Sequence, residues 1–272
     1  QMKIFKSKHK LKKEILNIRN ISFVPTMGGL HQGHISLIKK SKKIKGKTLV
    51  SIFVNPTQFN DQKDFLNYPK NLKNDISLLK SLKVDLVFIP SVRDIYSFKT
   101  KNNFFLEKFS KQLCGKTRKD HFKGVINVVN RFLEIIQPKY IVLGSKDLQQ
   151  LRLINSHILN KKIRTKVIEC KIIREKNGVA CSTRNKNLTN EQFRIASKIY
   201  LYLFNKKRKL KKSFFNFNKK RLNKDIVNLG SKKVDYVELL NSKTLKPIKN
   251  SKEDFRIFVA YYLNKIRLID NI

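Results

Sequence analysis

The chain has 272 residues, 40% of them hydrophobic, which suffices for one large domain or two modest ones with a core. Its 61 Lys+Arg against 19 Asp+Glu give a formal charge of +42, but lysine is spread along the whole chain beside abundant Asn and Ile, with no aromatic-basic module or zinc-finger spacing, so drifted composition explains the charge better than specific nucleic-acid recognition. Three cysteines without a C-x-x-C pair exclude a disulfide framework and a structural zinc site, and no apolar run is long enough to span a membrane.

Reduced cysteines and a polar, basic N-terminus without a secretory h-region lead to an expected cytoplasmic location. Met2 to Arg19 reads as one basic amphipathic helix with Ile4, Leu11, Ile15 and Ile18 on a shared face. Ile21 to Val24 is a β-branched and aromatic run expected as a buried strand; Pro25 and Gly28-Gly29 then turn the backbone, and a helix opens at His34. Strand, glycine turn and helix together offer backbone amides and a helix N-terminus to a phosphate. Within the turn, His31 and His34 flank Gly33: the imidazoles can donate to phosphate oxygens, and the glycine lets a nucleotide pack close.

Thr48 to Val54 is apolar almost throughout, as a strand buried on both faces of a parallel sheet would be, and it ends in Asn55-Pro56-Thr57-Gln58-Phe59. Helical spacing over 71–82 leads to a third strand, Val84 to Ile89. Two strand–helix–strand units in succession predict an open, doubly wound α/β sheet, whose ligands collect beyond the carboxyl ends of the strands at the switch point. Phe104 to Phe109 is compatible with an edge strand or a loop; Cys114 to Gly124 is polar, Val125 to Ile136 helical, and Tyr140 to Leu143 a strand ending in Gly144-Ser145-Lys146-Asp147. A last strand covers 166–173.

At Glu175 the texture changes, which places a boundary between a 1–174 domain and a smaller α+β lid over 175–272. Ala180 to Asn185 is a compact polar run; lysine-rich helical sequence fills roughly 190–228, within which 214–220 is low in complexity and carries no assigned function. Val234 to Leu240 and Phe255 to Tyr261 read as strands, with a hydrophilic turn over 251–254.

The polar residues at these strand ends sort by chemistry. His31, His34, Lys146, Arg184, Ser182 and Thr183 suit a triphosphate whose charge shifts during displacement at the α-phosphorus. Asn55, Gln58 and Gln150 are neutral amides suited to the hydroxyls and carboxylate of a small polar substrate, and Asp147 could take ribose hydroxyls or reach a magnesium ion. With no catalytic triad, paired glutamates or metal-ligand cluster in competition, spacing alone points to a nucleotidyl-transferring enzyme of the H-x-G-H class.

The blocks P-T-M-G-G-L-H-Q-G-H, V-S-I-F-V-N-P-T-Q-F, D-F-x-x-Y-P, V-D-L-V-F-I-P-S, H-F-K-G-V, G-S-K-D-L-Q-Q-L, S-T-R-N-x-x-L and R-L-I-D-N resemble, in order and over nearly the whole chain, the pantothenate synthetase (pantoate–β-alanine ligase) family. The resemblance implies a Rossmann-like doubly wound parallel sheet with a C-terminal lid, a homodimer, and ATP and Mg2+ as requirements. The implied reaction joins pantoate to β-alanine through pantoyl adenylate, releasing pyrophosphate and then AMP. Carried over by position, Met27, Gly28, Gly29, Leu30, His31, Gln32, Gly33 and His34 line the ATP site, with His34 the family's proton donor. Gly144, Ser145, Lys146 and Asp147 complete it, Lys146 on phosphate and Asp147 near the ribose, while Ile173 meets the adenine and Cys181, Ser182, Thr183 and Arg184 close over the triphosphate. Gln58 and Gln150 hold pantoate, Gln58 also lies near β-alanine, Asn55 supports that pocket, and Arg118 and His121 stand beside it. No metal ligand set of the protein's own is implied; magnesium comes with ATP, near Asp147. Ser145 in place of a usual Glu removes a charge near the nucleotide, while Cys181, Thr183 and Lys123 are milder departures. Two other readings differ in class: another H-x-G-H adenylyl- or cytidylyltransferase, with no use for β-alanine, and a nucleic-acid-binding protein on an inactive enzyme fold.

Overall fold

The computed structural model describes residues 1–60, 62–212 and 217–272. Chain order runs β1 (Lys3–Phe5), α1 (Lys8–Ile15), β2 (Ile21–Thr26), α2 (Gln32–Lys42), β3 (Lys47–Ile52), α3 (Gln62–Leu66), α4 (Leu72–Ser81), β4 (Leu86–Phe88) and α5 (Val92–Tyr96). It continues through α6 (Cys114–Thr117), α7 (His121–Ile136), β5 (Tyr140–Gly144), α8 (Leu148–Asn160) and β6 (Lys166–Cys170). The C-terminal part holds α9 (Asn190–Lys212), α10 (Lys219–Asn228), β7 (Lys233–Asn241), β8 (Phe255–Leu263) and β9 (Ile266–Asn271).

The first sheet is parallel, in the order β1-β4-β3-β2-β5-β6. From β2 the chain moves outward on one side through β3 and β4, then returns to the other side with β5 and β6, so the direction reverses between the ends of β2 and β5. Residues alternate across the pleat. Phe23, Leu49, Phe88 and Ile141 belong to the core under α7 and α8, while Val24, Val50, Val87 and Val142 form a second core with Ile38 of α2 and Leu79 of α4. Phe132 of α7 is the hub of the larger core, its ring 5.4 Å from Phe23, 6.1 Å from Phe53 and 6.2 Å from Phe88.

The second sheet is antiparallel, β7-β8-β9. One face, including Val237, Ile257 and Val259, packs with α9 and α10 residues such as Ile199, Leu203 and Ile226. The other face sends Tyr236, Leu240, Phe258 and Ala260 into the larger core of the parallel sheet. The two sheets therefore share apolar surface.

One expectation changes, one open alternative is decided and one strand is added. The N-terminal stretch is not one helix: Lys3–Phe5 joins the sheet edge beside β4, with Lys3 N–H donating to the Asp85 carbonyl at 2.9 Å and Ile89 N–H to the Phe5 carbonyl at 2.8 Å, and α1 begins only at Lys8. An unpaired edge supplies ladder hydrogen bonds that helical spacing cannot anticipate. Of the two alternatives for Phe104 to Phe109 the loop holds: β1 and β6 are the outer strands of the sheet, and Phe104, Leu106 and Phe109 pack against the core. And β9 had no counterpart among the expected strands; the turn Asn264-Lys265, with Asn264 at φ 54°, folds it back on β8 as a tight hairpin. Of the low-complexity stretch 214–220, residues 214–216 lie outside the described residues.

Candidate active site

A cavity of about 810 Å³ opens beyond the carboxyl ends of β2, β3 and β5 and runs under the 173–184 turn. Met27, His31, Gly33, His34, Asn55, Gln58, Arg118, His121, Gly144, Lys146, Asp147, Gln150, Ile173 and Cys181 to Arg184 all line it. Residues scattered over 158 positions of sequence (27 to 184) thus meet at the topological switch point.

The turn after β2 is tightly wired. Gly28 and Gly29 have φ of 78° and 61°, and a side chain on Gly29 would strike Thr183 Cγ2 at 2.5 Å and the Pro69 carbonyl at 2.8 Å. Gly29 N–H and Leu30 N–H both donate to the carboxylate of Asp75, each at 2.8 Å. Gly33 N–H donates to His31 Nδ1 at 3.1 Å, and His31 N–H to His34 Nδ1 at 3.3 Å, a reciprocal capping box made of two histidines. These amides are consumed inside the protein. The turn does not offer them to a phosphate as expected; a buried carboxylate and two imidazoles satisfy them first. A Cβ on Gly33 would lie 2.7 Å from the His31 ring, so this glycine makes room for the cap as much as for a ligand.

The wiring fixes the chemistry of both imidazoles. Each Nδ1 accepts a backbone N–H, so the proton of the neutral ring sits on Nε2. Burial, with Lys146 next in weight, lowers the His31 pKa to about 4; burial, followed by His31 and Lys146, lowers His34 to about 3. The rings lie 4.1 Å apart. They are a pair of uncharged Nε2–H donors at the mouth of α2.

Across the cavity, a 3₁₀ turn over Ser145–Asp147 carries Lys146 and Asp147 off the end of β5, with Lys146 Nζ 3.9 Å from Asp147 Oδ1. Ser145 is buried and faces away: its hydroxyl oxygen lies 2.8 Å from Glu169 Oε1 and 2.9 Å from the Cys170 carbonyl, which share its one proton. Glu169 is also paired with Arg152 at 3.0 Å. Ser145 therefore turns its side chain away from the cavity, and the missing charge expected at this position falls behind the cavity wall. Over the top, Cys181 N–H donates to the Ile173 carbonyl at 2.9 Å, Thr183 Oγ1 donates to the Gly29 carbonyl at 3.2 Å, and Ser182 caps the short 3₁₀ helix Thr183–Asn187 that carries Arg184. Gln32 is exposed on α2, and Leu30 is buried in the second core. Burial, then the hydrogen bond from Cys181 to Glu175, raises the Cys181 thiol to about 11, which suits packing rather than reactivity.

The opposite end of the cavity is built on amides. Asn55 is buried, and its own groups are engaged: Nδ2 reaches the Gly124 carbonyl at 3.2 Å and Gln58 Oε1 at 3.3 Å, while Oδ1 accepts from Tyr96 OH at 2.7 Å. It positions Gln58 rather than facing a substrate. Arg118 and His121 both contact the Gln58 carbonyl, at 3.2 and 2.8 Å, and Arg118 Nη1 stands 3.1 Å from His121 Nε2. Burial and then Arg118 lower the His121 pKa to about 3. Gln150 projects from the first turn of α8 into the same space, and neighbouring Gln149 turns the other way to hold Cys114 N–H and the Phe109 and Gln112 carbonyls.

Asp75 is the residue sequence reasoning missed. Its signal was its place: with Leu79, one turn on, it makes up the buried face of α4, where a carboxylate needs a specific partner. Magnesium can be tested against the donors present. Among the described residues no three His, Cys, Asp or Glu gather as a metal cage. Of the two carboxylates among the described lining residues, Asp270 is committed to Arg174, which leaves Asp147. That fits a cation carried in on a triphosphate rather than one held by the protein.

An open parallel sheet with neutral histidine donors, a lysine and an arginine around its switch point defines a nucleotide-using α/β enzyme of the H-x-G-H class. The chain belongs to the pantoate–β-alanine ligase family, whose model matches residues 3–272. It is 39% identical over 269 residues to the pantothenate synthetase of Pseudothermotoga lettingae, covering 96% of this chain and 94% of that protein, and 40% identical over 269 residues to that of Francisella tularensis subsp. novicida, covering 98% and 94%. Its fold matches the crystal structure of the Francisella tularensis pantoate–β-alanine ligase in complex with β,γ-ATP and β-alanine, with a TM-score of 0.84 at 39% identity over 100% of this chain and 97% of the other. A Thermus thermophilus pantothenate synthetase matches with a TM-score of 0.89 at 29% identity, over 100% and 99%.

Proposed function

We propose that this protein condenses pantoate with β-alanine at the expense of ATP, through a pantoyl adenylate. The observation that carries the assignment of roles is that one cavity holds two Nε2–H imidazoles facing a lysine and an arginine, with the glutamines 58 and 150 at its other end. The carboxylate of pantoate attacks the α-phosphorus of ATP; the bond to the β-phosphate oxygen breaks and pyrophosphate leaves. The amine of β-alanine then attacks the acyl carbon, loses a proton as the amide forms, and displaces AMP.

In this reading His31 and His34 donate Nε2–H to phosphate oxygens in their uncharged form, and Lys146 and Arg184 meet the charge that grows on the leaving pyrophosphate. His34 is thus a hydrogen-bond donor before it is an acid. Met27, His31, Gly33, His34, Gly144, Lys146, Asp147 and Ile173 frame the nucleotide; Cys181 to Arg184 cover it, excluding water from an adenylate that water would hydrolyse. Gln58 and Gln150 hold pantoate, with Asn55, Arg118 and His121 fixing the backbone and side chain of Gln58. Magnesium, when bound with ATP near Asp147, supplies charge neutralisation on the phosphates. We take residues 1–174 as the nucleotide- and pantoate-binding unit and 175–272 as the unit bearing the cover, a homodimer as the assembly and the cytoplasm as the location. No helix among the described residues is long and apolar enough to cross a membrane.

The test is AMP formation from ATP and pantoate with and without β-alanine. AMP and pantothenate appearing together only with all substrates present supports the ligase; β-alanine-independent transfer of a nucleotide to another acceptor refutes it. His34→Ala and Lys146→Ala should each lower turnover by roughly 10² or more with the fold intact. Near-full activity in either would remove that residue from the assigned role.

A further inference from the structure

The closing R-L-I-D-N block has no part in the roles above, yet its last two residues touch both walls of the nucleotide cavity. Asn271 is buried at the end of β9, and its side-chain Nδ2 donates to the Ser145 carbonyl at 2.9 Å and to the Lys146 carbonyl at 2.8 Å. Its Oδ1 accepts from Arg256 Nη1 at 2.6 Å, which leaves one orientation for the amide. The turn it holds, Ser145–Asp147, has no side-chain cap of its own. Immediately before it, Asp270 accepts from the two terminal nitrogens of Arg174, Nη1 and Nη2, at 2.7 and 3.0 Å. Arg174 directly follows Ile173, stacks on Tyr200 at 4.4 Å and donates to the Gly178 carbonyl at 3.0 Å, so it anchors the turn that leads to Cys181–Arg184.

We propose that Asn271 is a positioning residue for Lys146, and that the Asp270–Asn271 pair fixes the 145–147 turn and the 173–184 turn relative to each other. The inference rests on the ligase reading for the role of Lys146. Its physical basis is that a lysine ammonium at the end of a long flexible stem is aimed by the backbone that carries it. A misplacement of about 1 Å at a charge-stabilising group costs up to about 10²-fold in rate. The two carbonyls are clamped from a different sheet, by a residue more than 120 positions away in sequence. The pairing is a neutral amide to two carbonyls, a pattern an aspartate of the same shape cannot reproduce.

The experiment compares Asn271→Ala and Asn271→Asp with the parent protein in steady-state assays varying ATP, pantoate and β-alanine in turn, alongside ATP titration by calorimetry and thermal unfolding. Both variants should lose roughly 10- to 100-fold in kcat/KM for ATP and bind ATP about tenfold more weakly, with the KM for β-alanine unchanged. Asn271→Asp keeps its shape and its pairing with Arg256, so it tests the donor bonds even where the alanine variant is too unstable to assay. The inference is overturned if kcat/KM for ATP stays within about twofold of the parent in either folded variant, or if all three KM values rise together in step with a lower unfolding midpoint. An inactive parent protein would sink the ligase reading instead, and the calorimetric comparison would still report on Asn271: unaltered ATP binding in both variants would refute its role.

Discussion

Acid should unfold this protein through its histidines, above the pH range in which carboxylates titrate. Four imidazoles are held uncharged by donors aimed at one ring nitrogen: Gly33 N–H at His31, His31 N–H at His34, Arg118 at His121 and Phe105 N–H at His157. Burial, first among the causes in each, lowers His31 and His157 to about 4 and His34 and His121 to about 3. In the unfolded chain each would titrate near 6.5. Because the folded pKa lies below the unfolded one, the unfolded state binds more protons below about pH 6.5. The associated stability is therefore whole above that pH and is lost as pH falls toward 4. At about pH 5 each unfolded histidine has gained about 1.5 pH units of protonation free energy, or about 2 kcal/mol. Four together approach about 8 kcal/mol as an upper figure, comparable with the whole stability of an ordinary domain. Urea unfolding at fixed ionic strength across about pH 8 to 5 measures this directly. His157→Gln, away from the cavity, should flatten the acid limb by about a quarter. A stability at about pH 5 within about 1 kcal/mol of the neutral value would refute the argument.

Asp75→Asn leaves one acceptor for two amides and turns an NH₂ toward the other; it should cost about 3 kcal/mol and lower turnover, checked by unfolding and by AMP release. Phe132→Ala opens a cavity where three aromatic rings converge and should cost about 3–5 kcal/mol in urea unfolding. The charge of +42 repels itself, so the unfolding midpoint should rise as salt increases from about 0.01 M to about 0.15 M, where the Debye length falls from about 30 to about 8 Å. A midpoint that stays flat or falls over that range would contradict it.

The sequence by itself determined the class of sheet and the neighbourhood of the site. The apolar run at 21–24 reads as a buried strand and the one at 48–54 as a strand buried on both faces, and the polar residues that follow them fall at strand ends. Those are local properties, set by side-chain period and turn chemistry. What the tertiary structure decided is the partner of each polar group. That Asp75 would take the Gly29 and Leu30 amides, that Ser145 would turn to Glu169, and that Lys3–Phe5 would pair with Leu86–Phe88 are contacts across 24 to 83 positions of chain. So too Asn271, whose motif was visible but whose grip on Lys146 spans 125 positions. A hydrogen-bonding group in sequence announces only that it needs a partner; which one it finds depends on how the sheets pack, because burial is what makes leaving it unpaired costly.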